Sequence, residues 1–159
     1  MNEIIDRLRN LISPVTERFV NEQHTLFLVG GVVRDSFIHQ KIESPDLDLT
    51  TNATPDQIRA LVEPLADAVW LQGERFGTIG LRIGEIRMEI TTHRSESYAT
   101  SSRKPSVTFS SNLEDDLSRR DFTVNAMAVE LDSGNFFDPF NGKSDLENKI
   151  LRTPLSPSE

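Results

Sequence analysis

Apolar residues recur near the start of the chain at helical spacing. Ile4, Ile5, Leu8, Leu11, Ile12, Val15 and Phe19 mark a buried face across residues 3–20. Pro14 falls inside that run and predicts a break into two short helices. Residues 25–29 form a short apolar run that reads as a buried strand. It ends in Gly30-Gly31, and Val32, Val33, Phe37 and Ile38 then mark a short helix. Leu47, Leu49, Thr50 and Thr51 suit a strand opened by Pro45. Thr54 and Pro55 open the next helix as N-cap and first residue, with Ile58, Leu61, Val62 and Leu65 on its inner face. A strand is expected over 68–72, and a hairpin of strands 77–83 and 85–92 joined at Gly84. Residues 93–111 are polar and lack apolar periodicity, so they read as a long mobile loop that includes His93. Asn112 caps a short helix with Glu114, Asp115 and Asp116 in its first turn. A strand at 126–131, a turn at 132–135, a partner at Phe136-Phe137, a helical turn at 144–148 and a last strand at Ile150-Leu151 complete the expectation.

The strand at 45–51 carries the first candidate chemistry. Side chains of a strand alternate faces, so Asp46 and Asp48 share one face while Leu47 and Leu49 enter a core. Their Cα atoms would lie roughly 6–7 Å apart. That spacing lets both carboxylates hold one hard cation, or bracket two Mg²⁺ ions about 3.5–4 Å apart. In the hairpin, Ile86, Met88 and Ile90 alternate with Arg87, Glu89 and Thr91. If the hairpin pairs with the aspartate strand, Glu89 becomes a third acid beside the pair.

Charge narrows the partners. The formal net charge of −8 over 159 residues disfavours a chain that grips a long polynucleotide alone, since phosphate contacts dominate such binding. A cation-filled acidic site still tolerates phosphates locally. The length suits one domain with a core. No run approaches the ~20 apolar residues of a membrane span, so no membrane partner is expected. The first residues lack a signal-peptide pattern. Cysteine is absent, which excludes disulfides and thiolate metal sites and fits a cytoplasmic location.

Two further stretches suit a nucleotide. The Gly30-Gly31 turn allows close backbone approach to a ligand, and Arg34 one turn later can reach a phosphate bidentately. Arg119, Arg120, Asp121 and Asn125 fall within seven residues. The arginines suit phosphate, and the Asp and Asn suit sugar or base edges.

Three motifs agree in order and spacing: Gly30-Gly31-Val32-Val33-Arg34-Asp35 with Asp46-Leu47-Asp48, Arg87-Met88-Glu89-Ile90-Thr91-Thr92, and Arg119-Arg120-Asp121-Phe122-Thr123-Val124-Asn125-Ala126. Together they closely resemble the catalytic head of class II tRNA nucleotidyltransferases, the CCA-adding enzymes, and of bacterial poly(A) polymerases, in the DNA-polymerase-β-like nucleotidyltransferase superfamily. The resemblance implies an α+β head, a small mixed and largely antiparallel sheet backed by helices. It implies that Asp46 and Asp48 bind metal and that Glu89 is a third catalytic acid. Gly30, Gly31 and Arg34 would form the triphosphate turn, and Arg120, Asp121 and Asn125, beside Arg119, would hold the nucleotide and sense its ribose. The implied cofactor is a pair of Mg²⁺ ions, and the implied substrates are CTP or ATP and the 3′ end of tRNA. Residues 93–111 would be the family's flexible loop. The implied division is an N-terminal helical segment over 1–24, the head over 25–154, and the start of a neck at 155–159 whose base-reading motif lies beyond Glu159. Polyadenylation, and nucleotide binding without turnover, remain alternatives.

Overall fold

The computed structural model describes residues 2–38, 46–71, 73, 76–98, 105–109 and 112–154. It opens with helices α1 (Glu3–Leu11) and α2 (Ser13–Asn21), divided at the predicted point beside Pro14. Asn2 caps α1 by accepting from the Ile5 amide. Strand β1 (Leu26–Val29) leads through Gly30 into the six-residue α3 (Gly31–Ser36). Strand β2 (Asp46–Thr51) follows, then α4 (Pro55–Val62) with a complete capping box between Thr54 and Gln57. Next come β3 (Ala68–Trp70), β4 (Thr78–Ile83) and β5 (Ile86–Thr92). After β6 (Arg94–Tyr98) and β7 (Pro105–Phe109) the chain forms α5 (Leu113–Ser118) and a 3₁₀ turn at Thr123–Asn125. It closes with β8 (Ala128–Glu130), β9 (Phe136–Phe137) and α6 (Gly142–Glu147).

The main sheet has the order β3-β4-β5-β2-β1-β8-β9. Every pairing in it is antiparallel except β2 with β5. The α+β class and the mixed, largely antiparallel sheet therefore stand as expected.

The two faces of the sheet differ, and the alternation of side chains explains why. Leu47 and Leu49 of β2, Met88 and Ile90 of β5 and Leu26 and Leu28 of β1 enter the larger core with Ile5, Phe19, Ile58 and Val62 from the helices. Each fully buried side chain of this size contributes about 1.5–3 kcal/mol. On the opposite face Phe27 and Val29 of β1 and Ala126 and Ala128 pack with Leu117 of α5 in a second, smaller cluster. Strand β1 is thus buried on both faces, and its sequence Leu-Phe-Leu-Val is apolar throughout. That second face stays exposed at Asp46, Asp48, Arg87 and Glu89.

Two expectations are corrected. Within 93–111, residues 94–98 and 105–109 are not loop but an antiparallel pair with Arg94 opposite Phe109 and Tyr98 opposite Pro105. Backbone hydrogen bonds form such a ladder without any apolar face, so periodicity could not reveal it. Residues 99–104 and 110–111 lie outside the described residues. Ile150 and Leu151 form no strand, and Leu151 is 71% exposed.

Candidate active site

The register between β2 and β5 sets Asp48 directly beside Glu89 and Asp46 beside Arg87. On the other side of β2, Asp48 lies opposite Val29, the last residue of β1. The next residue, Gly30, has φ +76° and ψ −145°, a conformation open to glycine and costly to other residues. A Cβ at Gly30 would lie 3.5 Å from Asp48 Oδ2 and 3.7 Å from Arg120 Nη1. The glycine turn, the second aspartate and the second arginine of the Arg-Arg-Asp motif therefore meet at one point, from three separate stretches of sequence.

Burial raises the Asp48 carboxyl above its ordinary range; the Arg120 charge opposes this and the neighbouring Asp46 adds to it. A cation bound beside Asp48 would relieve the cost of its charge. Among the described residues, no group of three or more His, Asp or Glu side chains converges into a ready-made metal site. Two oxygen-donor aspartates on one face are nevertheless what Mg²⁺ takes from a protein when waters and substrate phosphates complete its shell. The donor set fits that ion and offers no soft ligand.

A second polar chain ties α3 to the Arg-Arg-Asp stretch. Arg34 donates from Nε to Asp35 Oδ1 at 2.9 Å and from Nη1 to Asn125 Oδ1 at 2.7 Å. Asn125 in turn donates to Asp121 Oδ1 at 2.9 Å, and the Phe122 amide donates to the same oxygen at 2.7 Å. The Asn125 hydrogen bond, followed by that amide, holds the Asp121 carboxyl below its ordinary range. A ligand hydroxyl entering there would meet a fixed carboxylate. Arg34, Asp121 and Asn125 also line a concavity of about 650 Å³ with Ile38, Phe122 and Leu151.

The interior behind the site holds groups whose placement the sequence did not reveal. Asp116 is 0% exposed and accepts from Arg119 at 3.1 Å, Arg120 at 3.0 Å and the Arg94 amide at 3.0 Å. Burial pushes its carboxyl up, but Arg120, Arg119 and that amide outweigh burial and hold it below the ordinary range. The helical spacing of Asp116 to Arg119 and Arg120 was the available signal. Both arginines are thus gripped from inside by a residue expected only to complement the helix dipole. His93, expected in a loop, is 1% exposed and shares a 2.7 Å hydrogen bond between its Nδ1 and Thr50 Oγ1. Burial, with Arg120 and Arg119, lowers it to about 4 against the pull of Asp116, so it is neutral at pH 7. Its place two residues beyond Thr91 on the face of Glu89 continues the β5 alternation, a signal hidden by the polar sequence that follows.

Fold and site together define a nucleotidyltransferase head. Residues 26–152 match the model described as the poly(A) polymerase head domain, and the chain belongs to that family. The chain is 40% identical over 147 residues to the CCA-adding enzyme of Bacillus subtilis (strain 168), covering 92% of this chain and 35% of that protein. It is likewise 40% identical over 147 residues to the CCA-adding enzyme of Staphylococcus epidermidis, again 35% of that protein. The chain spans about a third of the length of these curated relatives. Among solved structures, the CCA-adding enzyme of Bacillus stearothermophilus in complex with CTP superposes with a TM-score of 0.76 at 28% identity, covering 97% of this chain and 34% of that one. A tRNA nucleotidyltransferase complexed with a primer tRNA and an incoming ATP analogue superposes with a TM-score of 0.68 at 30% identity, covering 89% and 39%.

Proposed function

We propose that this chain is the catalytic head of a metal-dependent tRNA nucleotidyltransferase that adds C, A or both from CTP and ATP to the 3′ end of tRNA. Residues 25–154 would form the head and residues 1–24 an N-terminal helical segment before it. The observation that carries the reading is the meeting of Asp48 with Glu89, Gly30 and Arg120. The Bacillus subtilis and Staphylococcus epidermidis relatives are CCA-adding enzymes, which favours tRNA over polyadenylation.

On this reading Asp46 and Asp48 hold Mg²⁺, with Glu89 the third acid beside them. The bound ions would acidify the terminal hydroxyl and neutralise charge on the departing pyrophosphate. Gly30 and Gly31 let the triphosphate approach the backbone, and Arg34 and Arg120 face its charge with Arg119 behind them. Asp121 and Asn125, already bonded to each other, orient the ribose. The 3′ hydroxyl would give its proton to solvent and its oxygen would bond to the α-phosphorus as the bond from that phosphorus to the α,β-bridging oxygen breaks, and pyrophosphate would leave.

The test is thermal unfolding with CTP or ATP and Mg²⁺. Wild type should gain melting temperature only with nucleotide and metal together, and Asp46→Ala and Asp48→Ala should not. Without metal both variants should melt no lower than wild type, because they remove one of two like charges on one strand face. A double variant stabilised by the nucleotide and Mg²⁺ as much as wild type would place the site elsewhere.

A further inference from the structure

The exposed face of the sheet carries a feature that the nucleotide motifs leave unused. Trp70 of β3, Gly80 of β4, Glu89 of β5 and Asp48 of β2 lie side by side in one row across four strands. Val69 and Leu81, their neighbours in sequence, pack toward the large core, so Trp70 rises on the face of the acids. Trp70 is 38% exposed. A Cβ at Gly80 would lie 3.2 Å from its Cε3 and 3.4 Å from its Cβ, so the bare glycine lets the indole lean toward Glu89. The Arg87 guanidinium lies 5.4 Å from the indole ring centre. Trp70, Gly80, Arg87, Glu89, Asp46 and Asp48 line one cleft of about 450 Å³.

If nucleotidyl transfer is the reaction, two substrates must meet across the acids. Gly30, Arg120 and Arg34 lie on the β1 side of Asp48 and take the triphosphate. Attacking and leaving oxygens stand roughly in line on opposite sides of the phosphorus. The chain that brings the hydroxyl therefore arrives over β5, β4 and β3, and β3 stands only about 10 Å from β5.

We propose that Trp70, with Arg87 beside it, is a stacking shelf for the terminal base of the acceptor RNA. The base lies on the indole, Arg87 meets the adjacent phosphate, and the 3′ hydroxyl points to Glu89 and Asp48. Stacking suits any base, because every base has a π-face. Arg87 supplies a local positive charge on a chain whose net charge is −8. This assignment rests on the nucleotidyl-transfer reading and adds to it the acceptor's side of the cleft.

Trp70 is the only tryptophan in the chain, so indole emission reports this position alone. The probe is a short oligoribonucleotide ending in cytidine with a free 3′ hydroxyl, labelled at its 5′ end. It should quench the emission as it binds, while CTP with Mg²⁺ raises the melting temperature and leaves the emission nearly unchanged. By anisotropy of the label, Trp70→Ala should weaken oligonucleotide binding about tenfold or more and Trp70→Phe much less. Arg87→Gln should reduce the salt dependence of that binding. The shelf is refuted if the oligonucleotide fails to bind at millimolar concentration, binds without quenching, or binds Trp70→Ala as tightly as wild type. Equal quenching by CTP would also refute it, by making Trp70 part of the nucleotide site. Absence of CTP and Mg²⁺ stabilisation in wild type would instead overturn the nucleotidyl-transfer reading, and with it the acceptor role of the shelf, even where RNA still quenches the indole.

Discussion

Removing Asp116 is expected to damage this protein more than removing either aspartate of β2. Its carboxylate is wholly buried and answers two guanidinium groups at 3.0 and 3.1 Å and a backbone amide at 3.0 Å. The Arg119 and Arg120 side chains are themselves only 17% exposed. Asp116→Ala leaves two mostly buried cations facing each other, and losing one partner of a buried ion pair costs about 3–5 kcal/mol. A domain commonly has about 5–15 kcal/mol in total, so urea unfolding should show the loss as a large fall in midpoint. The pH dependence adds an independent check. The folded carboxyl titrates below 3.8, so its contribution is complete above that value and is lost as pH falls through the lower, folded value. Asp116→Asn keeps the shape and should remove this acid loss, while its stability near neutrality is already reduced. Arg120 would also lose the anchor that holds it by Gly30 and Asp48. An Asp116→Ala protein within about 1 kcal/mol of wild type, or unchanged acid behaviour in Asp116→Asn, would show that the cluster is not what secures the two arginines.

His93 makes the fold pH-sensitive in a higher window: from 6.5 down to about 4 the unfolded chain takes up a proton that the folded one refuses. Stability should therefore be flat above 6.5 and fall by up to about 3 kcal/mol across that window; His93→Gln should flatten this part of the curve, and an equal slope in both proteins would count against it. Arg34→Ala should weaken ATP binding more than adenosine binding, because its guanidinium stands at the glycine turn with Nη2 3.3 Å from a Cβ placed on Gly31; calorimetry showing equal losses for the two ligands would remove Arg34 from the phosphate site. Gly30→Ala should cost about 1–3 kcal/mol through its backbone conformation alone; an alanine variant as stable as wild type to heat would contradict the positive φ.

How much of this was legible follows from the kind of interaction involved. The capping of α4 by Thr54, the break at Pro14 and the opposed faces of β2 are local, and residue type and spacing determine them. The parallel register that brings Glu89 to Asp48 is not local: the alternation in β5 showed which way Glu89 points, but only the folded sheet shows which strand is beside it. The β6–β7 ladder was invisible because it is made by backbone groups that every residue carries alike. His93 was misjudged because a polar residue reads as exposed until a partner is known, and its partner, Thr50, comes from β2. Asp116 does stand in the first turn of α5, but its burial was missed: Arg119 and Arg120 follow at helical spacing, while the Arg94 amide reaches it only in the folded chain. Ile150 and Leu151 erred the other way, being apolar residues with no neighbouring strand to pair with.

The internal ties of the arginines also bear on how an acidic chain can hold a triphosphate. Arg34 is fixed by Asp35 and Asn125, and Arg119 and Arg120 by Asp116. Such bonds lower the net positive charge offered to a ligand, so they are a poor way to gain raw attraction. They do remove rotamer freedom from long side chains before the ligand arrives, a cost of about 0.5–1.5 kcal/mol for each side chain ordered on binding. A guanidinium is suited to this because its five donors let it keep an internal partner and still present further N–H groups outward. If metal and nucleotide bind as proposed, the two carboxylates of β2 and the nearby Arg120 favour their entering together. Nucleotide without metal would meet Asp46 and Asp48 bare, and metal without nucleotide would meet Arg120. Binding of the two should therefore be cooperative, as the combined requirement in the unfolding experiment expresses.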